Sequence, residues 1–145
     1  MNDPTAVDYT PRQPRIEPAI DANAIAVQRQ FSAQTFGPGN RTEGILDHIR
    51  KELVEIEEHP TDLYEWVDVL ILAIDGAWRA GYSPEAIIGA YRIKMETNMA
   101  RTWPDWRQVE AGRAIEHVRT KEIETVEGPV LEPGDDTVEI EAVLT

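Results

Sequence analysis

Proline and glycine cut this chain into segments, and the cuts set what it can fold into. Gly37-Pro38-Gly39, His59-Pro60-Thr61, Gly81-Tyr82-Ser83-Pro84 and Trp103-Pro104 recur at intervals of about twenty residues. Each pairs a missing backbone donor or a turn-former with its neighbours, so no regular element passes through. The stretches between carry apolar residues at helical spacing, and the expected fold is all-α, a bundle of four to five helices with short connections.

The first segment runs from about Ala24 to Thr35. A second opens near Asn40 or Thr42, with Asn40 and Glu43 at capping-box spacing, and continues to about Glu58 with Ile45, Ile49, Leu53 and Ile56 on one face. Asp62 and Glu65 offer a capping-box start for a third, through about Ala80 and closed by Gly81. Ser83 as cap and Pro84 at the first helical position open a fourth, to about Arg101. A last helix is expected from Asp105 to about Thr120, with Ala111, Ala114, Ile115 and Val118 as its apolar stripe.

The ends read differently. Residues 1–23 hold Pro4, Pro11, Pro14 and Pro18 and few large apolar side chains, which predicts an extended, partly disordered arm. Residues 24–120 form the helical domain. Residues 121–145 form an acidic tail with no Lys or Arg after Lys121; Val138-Glu139-Ile140-Glu141 and Pro133-Gly134-Asp135-Asp136 would allow a β-hairpin there. At 145 residues the chain suits one domain with its own core.

Charge and composition exclude several functions. A formal net charge of −13 argues against a nucleic-acid partner, which needs clustered Lys and Arg. No apolar run approaches a membrane span, the N-terminus is acidic and Pro-broken rather than signal-like, and cysteine is absent. These fit a cytoplasmic protein. An acidic chain would also repel a polyanionic ligand unless a divalent cation inverted the local field.

The chemistry gathers on the second and third helices. Glu52 and Glu55 lie three residues apart, one turn along nearly the same face, and Glu65 and Asp68 repeat that spacing after a turn short enough to lay the two helices side by side. Glutamates at this spacing are ordinarily a solvated face. Asp68 and Asp75 differ: they sit in Trp66-Val67-Asp68-Val69-Leu70-Ile71-Leu72-Ala73-Ile74-Asp75, apolar all round, where a buried carboxylate needs a basic side chain or a metal. Oxygen ligands, no Cys and three His point to Mg²⁺, with Mn²⁺ as the alternative, rather than zinc. So apolar a third helix exceeds what one neighbour can cover, which predicts a homodimer or homotetramer.

Glu52-x-x-Glu55 followed by Glu65-x-x-Asp68 resembles the paired acidic motifs of the all-alpha nucleotide pyrophosphatases, which include MazG and the dimeric dUTPases. Lys94 and Asn98 look like that superfamily's Lys-x-x-x-Asn element. Phe36-Gly37-Pro38-Gly39, Arg41-Thr42-Glu43-Gly44, His48-Ile49-Arg50-Lys51-Glu52-Leu53, Asp75-Gly76-Ala77-Trp78-Arg79-Ala80-Gly81 and Arg101-Thr102-Trp103-Pro104-Asp105-Trp106 resemble the MazG-like branch of dATP/dGTP diphosphohydrolases, known from bacteria and phages. The resemblance spans roughly Phe31 to Trp106. Nine residues separate Glu55 from Glu65, fewer than is usual in MazG proteins, which keeps Glu58 open as a replacement for Glu52.

The resemblance implies Mg²⁺-dependent hydrolysis of dATP or dGTP to the monophosphate and pyrophosphate, controlling the purine deoxynucleotide pool, in the host cytoplasm if the gene is a phage's. Glu52, Glu55, Glu65 and Asp68 are the metal set, with Glu58 and Asp75 in reserve. Glu52 or Glu55 would orient or deprotonate the attacking water, and Lys94 would offset charge on the leaving pyrophosphate, assisted by Arg101. Read alone, Lys94 is an exposed helix lysine. Phe31, Gln34, Phe36, Asn98 and Trp103 are of the right type for a purine slot, Arg41 for a phosphate contact, while Trp66 and Trp78 read as core. Gly37-Pro38-Gly39-Asn40-Arg41-Thr42 lacks the Gly-Lys-Ser/Thr ending of a P-loop. Two other readings remain: a pyrophosphatase for other or damaged nucleotides, and a non-enzymatic helical interaction module.

Overall fold

The computed structural model describes residues 19–119 and 132–134. Four α-helices pack together with no strand among the described residues: α1 (Ala22–Phe36), α2 (Thr42–Glu58), α3 (Leu63–Arg79) and α4 (Pro84–Ala100). Of the expected arm only residues 19–23 are described, and Ala22 and Asn23 already belong to α1; the rest of it, and the hairpin residues of the acidic tail other than Pro133-Gly134, lie outside the described residues.

Side-chain caps fix three of the helix starts. Asp21 accepts from the Ala24 amide at 2.8 Å, Asp62 from the Tyr64 amide at 2.9 Å and Ser83 from the Ala86 amide at 3.1 Å. The capping box expected at Asn40 does not form. Asn40 instead accepts from the Thr42 amide and hydroxyl, and Arg41 takes the cap position without a side-chain bond. The short side chain satisfies its nearest donors, a local turn that competes with the box.

α3 is the central element, packed extensively on α2 and also against α1 and α4, while α1 and α4 pack on each other. Ile25, Ile45, Ile56 and Ala86 are the buried apolar side chains. α3 supplies none of them. Its buried residues are Asp75 and Arg79, whereas Leu63, Trp66, Leu70 and Ile71 are 70%, 53%, 42% and 43% exposed. The placing of Trp66 in the core is therefore overturned, and so is the burial of Asp68, which is exposed. Three helices cover only part of α3, and the rest of its apolar circumference faces outward.

The fifth helix is also corrected. Asp105 caps a single 3₁₀ turn, Trp106–Gln108, and the chain then runs irregularly, with Gly112 at φ +79° and the Val118 amide donating to the Thr102 carbonyl. Ile115 and Val118 are about half exposed, so the supposed apolar stripe gains no packing, and a short helix without packing is marginal in water. At the α3–α4 turn, Gly81 has φ +105° and its missing side chain leaves room for Pro133, whose Cβ would be 3.0 Å away; Gly134 donates to the Gly81 carbonyl.

One buried ion pair ties α1, α3 and the loop between α1 and α2. Asp75 accepts from Arg79 Nε at 3.1 Å, from the Ser32 hydroxyl at 2.6 Å and from Trp78 Nε1 at 2.7 Å. Arg79 Nη1 donates to the Gly37 and Gly39 carbonyls, both at 2.9 Å, and Nη2 to the Ser32 carbonyl and hydroxyl. Removing one partner of such a pair leaves a bare buried charge. Asp75→Ala is expected to lower unfolding stability by about 3–5 kcal/mol, while Asp68→Ala, exposed two turns earlier on the same helix, changes it by about 0.5 kcal/mol or less; urea denaturation followed by circular dichroism measures both.

Candidate metal centre

The turn from His59 to Asp62 is tight, with the Asp62 amide donating to the His59 carbonyl at 2.9 Å, and it brings the end of α2 against the start of α3. There Glu52, Glu55 and Glu65 converge: one carboxylate oxygen of each lies within 4.8 Å of the others. Two come from successive turns of α2 and the third from the first turn of α3. Glu52 is buried, Glu65 half-buried and Glu55 exposed, so the cluster opens to solvent on one side.

Positive charge near it is scarce. His48 Nε2 lies 2.8 Å from Glu52 Oε1, one turn back along α2. Lys51, next in sequence to Glu52, is turned to Asp47 at 2.8 Å, a contact that holds the Asp47 carboxyl low and the Lys51 amine high. Among the described residues no Lys or Arg pairs with Glu52, Glu55 or Glu65. Desolvation, then the charge of Glu55 and a hydrogen bond with it, hold the Glu65 carboxyl above its usual range, and Asp62 and Glu52 push the same way. Three crowded oxygen donors with one neutralising histidine at most fit a hard divalent cation, and the cluster could bind one.

The remaining predicted residues fall in two places. Glu58 and Asp68 are exposed and lie outside the converging three. Asp75 is ten residues beyond Glu65, about 15 Å along the helix axis; the cation it needed is Arg79, one of the two solutions its burial allowed. Lys94 and Asn98 lie in the C-terminal half of α4, and Arg101 caps its end. Lys94 is exposed there. Asn98 Oδ1 accepts from Arg101 at 3.1 Å, and the Asn98 carbonyl accepts from Trp103 Nε1 at 2.7 Å.

Phe31, Gln34, Phe36 and Arg41 occupy the opposite end. Phe31 and Phe36 meet edge to face with centroids 6.2 Å apart, both more than half exposed. Arg41 lies 5.6 Å from the Phe36 ring centroid and donates to the Phe36 carbonyl at 2.6 Å. Gln34 is exposed beside them. Ten residues of α2 lie between Arg41 and Glu52, about 16 Å. Phe31 and Phe36 thus sit at the end of the α2–α3 pair away from the acids, a placement that sequence spacing does not reveal. Sequence reasoning also passed over His48 and Arg79, although His48-x-x-x-Glu52 and Asp75-x-x-x-Arg79 are both at the i,i+4 spacing that joins opposite charges on a helix.

Because Glu65 is held high, the metal-free fold is favoured with its carboxyl protonated and loses that contribution as pH rises through its titration. A divalent cation bound at the cluster would take the place of the proton. Mg²⁺ is therefore expected to raise the melting temperature near neutral pH, by an amount that shrinks as pH falls into the carboxylate range. Glu65→Gln should melt no lower than the parent without metal and lose most of the Mg²⁺-induced rise; differential scanning fluorimetry against pH measures both.

No curated protein and no solved structure matches the chain. The sequence model of dATP/dGTP pyrophosphohydrolases matches residues 25–122, which include all four helices but the first three residues of α1 and every residue of the acidic cluster. With more than half of its length so matched, this chain belongs to the dATP/dGTP pyrophosphohydrolase family, a MazG-like family of nucleotide hydrolases.

Proposed function

We propose that the protein hydrolyses dATP and dGTP between the α and β phosphates, releasing the monophosphate and pyrophosphate, with Mg²⁺ held by Glu52, Glu55 and Glu65 and by Asp68 one turn further along α3. The observation that carries this reading is the convergence of three carboxylates from two helices, unneutralised by any Lys or Arg among the described residues, in a chain of this family. A bundle that served only as a scaffold would gain nothing from crowding them.

When bound, the cation supplies positive charge against the triphosphate and acidity to water. The chain supplies the rest. Glu52 or Glu55 accepts a proton from the attacking water, whose oxygen bonds to the α phosphorus as the α–β anhydride bond breaks. His48, 2.8 Å from Glu52 Oε1, steadies that carboxylate. Lys94 on α4 and Arg101 at its end would meet the departing pyrophosphate, with Asn98 and Trp103 as further substrate contacts.

The working unit in this reading is a homodimer or homotetramer. Leu63, Trp66, Leu70 and Ile71 on α3, and Tyr91, Met95 and Met99 at successive turns of α4, are all at least 41% exposed, against four buried apolar residues in the bundle. So much exposed apolar surface on a single helix pair marks an interface. In that reading a neighbouring copy completes the base pocket, since one chain holds Arg41 and Glu52 about 16 Å apart along α2.

Two measurements test this. Pyrophosphate release from eight NTPs and dNTPs is expected to favour dATP and dGTP, to stop in EDTA and to fall at least about 100-fold in Glu55→Gln, a loss of about 2.7 kcal/mol in barrier lowering. Release favouring other triphosphates would keep the mechanism and shift the substrate, and no release from any would leave the interaction module. Sedimentation velocity is expected to show two or four chains together, and Trp66→Glu to dissociate them.

A further inference from the structure

The fold places its best-satisfied buried charge where the hydrolytic reading has no use for it. Arg79 has a side chain 1% exposed, and its five N–H donors are all engaged: one on Asp75, two on the Gly37 and Gly39 carbonyls and two on Ser32. Three of the five acceptors are main-chain carbonyls at the end of α1 and in the loop after it. The Asp75 contact lies within α3, and the bonds to Ser32 would suffice to tie α1 to it. The extra bonds hold a loop.

The loop's own contacts are local, Arg41 to the Phe36 carbonyl and Thr42 to Asn40, and Arg79 ties it to α3. Gly37 and Gly39 have φ of +85° and +86°, and neither has any atom within 4 Å of where a side chain would begin. Its conformation is set by carbonyls turned inward to the guanidinium, and a lysine, with one point charge, could not reach them together. What the loop carries outward is Phe36 on one side and Arg41 on the other. Arg41 uses one N–H on the Phe36 carbonyl and makes no other hydrogen bond among the described residues. An exposed aromatic face beside a guanidinium with donors to spare suits a ligand that is planar at one end and anionic at the other, such as a nucleotide.

We propose that Arg79 is a positioning residue for nucleotide recognition: by clamping the Gly37 and Gly39 carbonyls it fixes the Phe31–Phe36–Arg41 patch, which binds the base and a phosphate. This rests on the reading of the protein as a nucleotide hydrolase. Arg79 touches no ligand, so its loss acts through Arg41 and Phe36 and leaves the acidic cluster at the other end of α2 unaltered.

The test uses Arg79→Lys, Arg41→Ala, their double variant and Gly39→Ala, which strains the loop without disturbing a helix. Product binding is measured by titrating dAMP and dGMP in EDTA, with pyrophosphate release and Mg²⁺-induced thermal shifts alongside, at a temperature where each variant is folded. Each single variant is expected to weaken monophosphate binding and raise KM about fivefold or more, to change kcat less than about twofold and to keep the Mg²⁺ shift. The double variant should be no worse than the weaker single, since both remove one contact. Folded Arg79→Lys and Gly39→Ala with parental monophosphate affinity and KM would overturn the assignment, as would additive losses in the double variant or a parent that binds neither monophosphate. A parent that releases no pyrophosphate, but binds a monophosphate that the variants lose, would sink the hydrolase reading and uphold this one.

Discussion

Asp75 and Arg79 lie one turn apart on the most apolar helix of the chain, and the geometry of its aromatic end depends on them. Each is an expensive group to bury and each is fully partnered: both Asp75 oxygens accept, and every Arg79 donor is engaged. A buried pair of this kind adds little net stability over an apolar one, but it permits few alternatives, because sliding α1 by a residue would strand several donors at once. Trp78 closes the arrangement, with its indole N–H on Asp75 and the Arg79 and Arg29 guanidinium groups 4.4 and 5.6 Å from its ring. The register of α1 on α3, and the path by which α1 hands over to α2, follow from this one set of contacts.

The other end of the α2–α3 pair is built on the opposite principle. Glu52, Glu55 and Glu65 are as crowded as the groups around Arg79, yet no guanidinium or amine answers them among the described residues. The same two helices therefore carry a buried acid neutralised by an arginine and three clustered acids that no arginine or lysine meets among the described residues. This contrast separates a structural carboxylate from a candidate ligand more sharply than burial does, since Asp75 is among the most buried acids of the chain and Glu55 is exposed. In a chain of net charge −13, three carboxylates crowded together with one histidine against them could bind a cation.

Punctuation was the most legible part of the sequence. Asp62, Ser83-Pro84 and Gly81 mark boundaries that the helices respect to within about a residue, because caps and chain-breakers act locally. The convergence of α2 and α3 was legible for the same reason, a short turn permitting one arrangement. What failed depended on tertiary partners. The Ala111 to Val118 stripe has helical spacing but nothing to pack on, Gly112 turns the chain out of it, and no helix forms. Asp68 looked buried because its neighbours in sequence are apolar, yet what buries a helical residue is the helix laid over it: on one face α1 covers Asp75 but not Asp68 two turns earlier, and the opposite side, with Trp66 and Leu70, is left open.

That uncovered side bears on the site as well as on assembly. Trp66 is 53% exposed and donates its indole N–H to the Pro60 carbonyl, in the turn that sets Glu65 opposite Glu52. An apolar surface covering Trp66 would press on this turn and so on the acids it aligns. Burying the ring would also lower the dielectric around Glu65, whose carboxyl is already disfavoured as an anion, and strengthen its demand for a cation. Assembly and metal binding would then be linked by mass action, each tightening the other, because both act on the same first turn of α3.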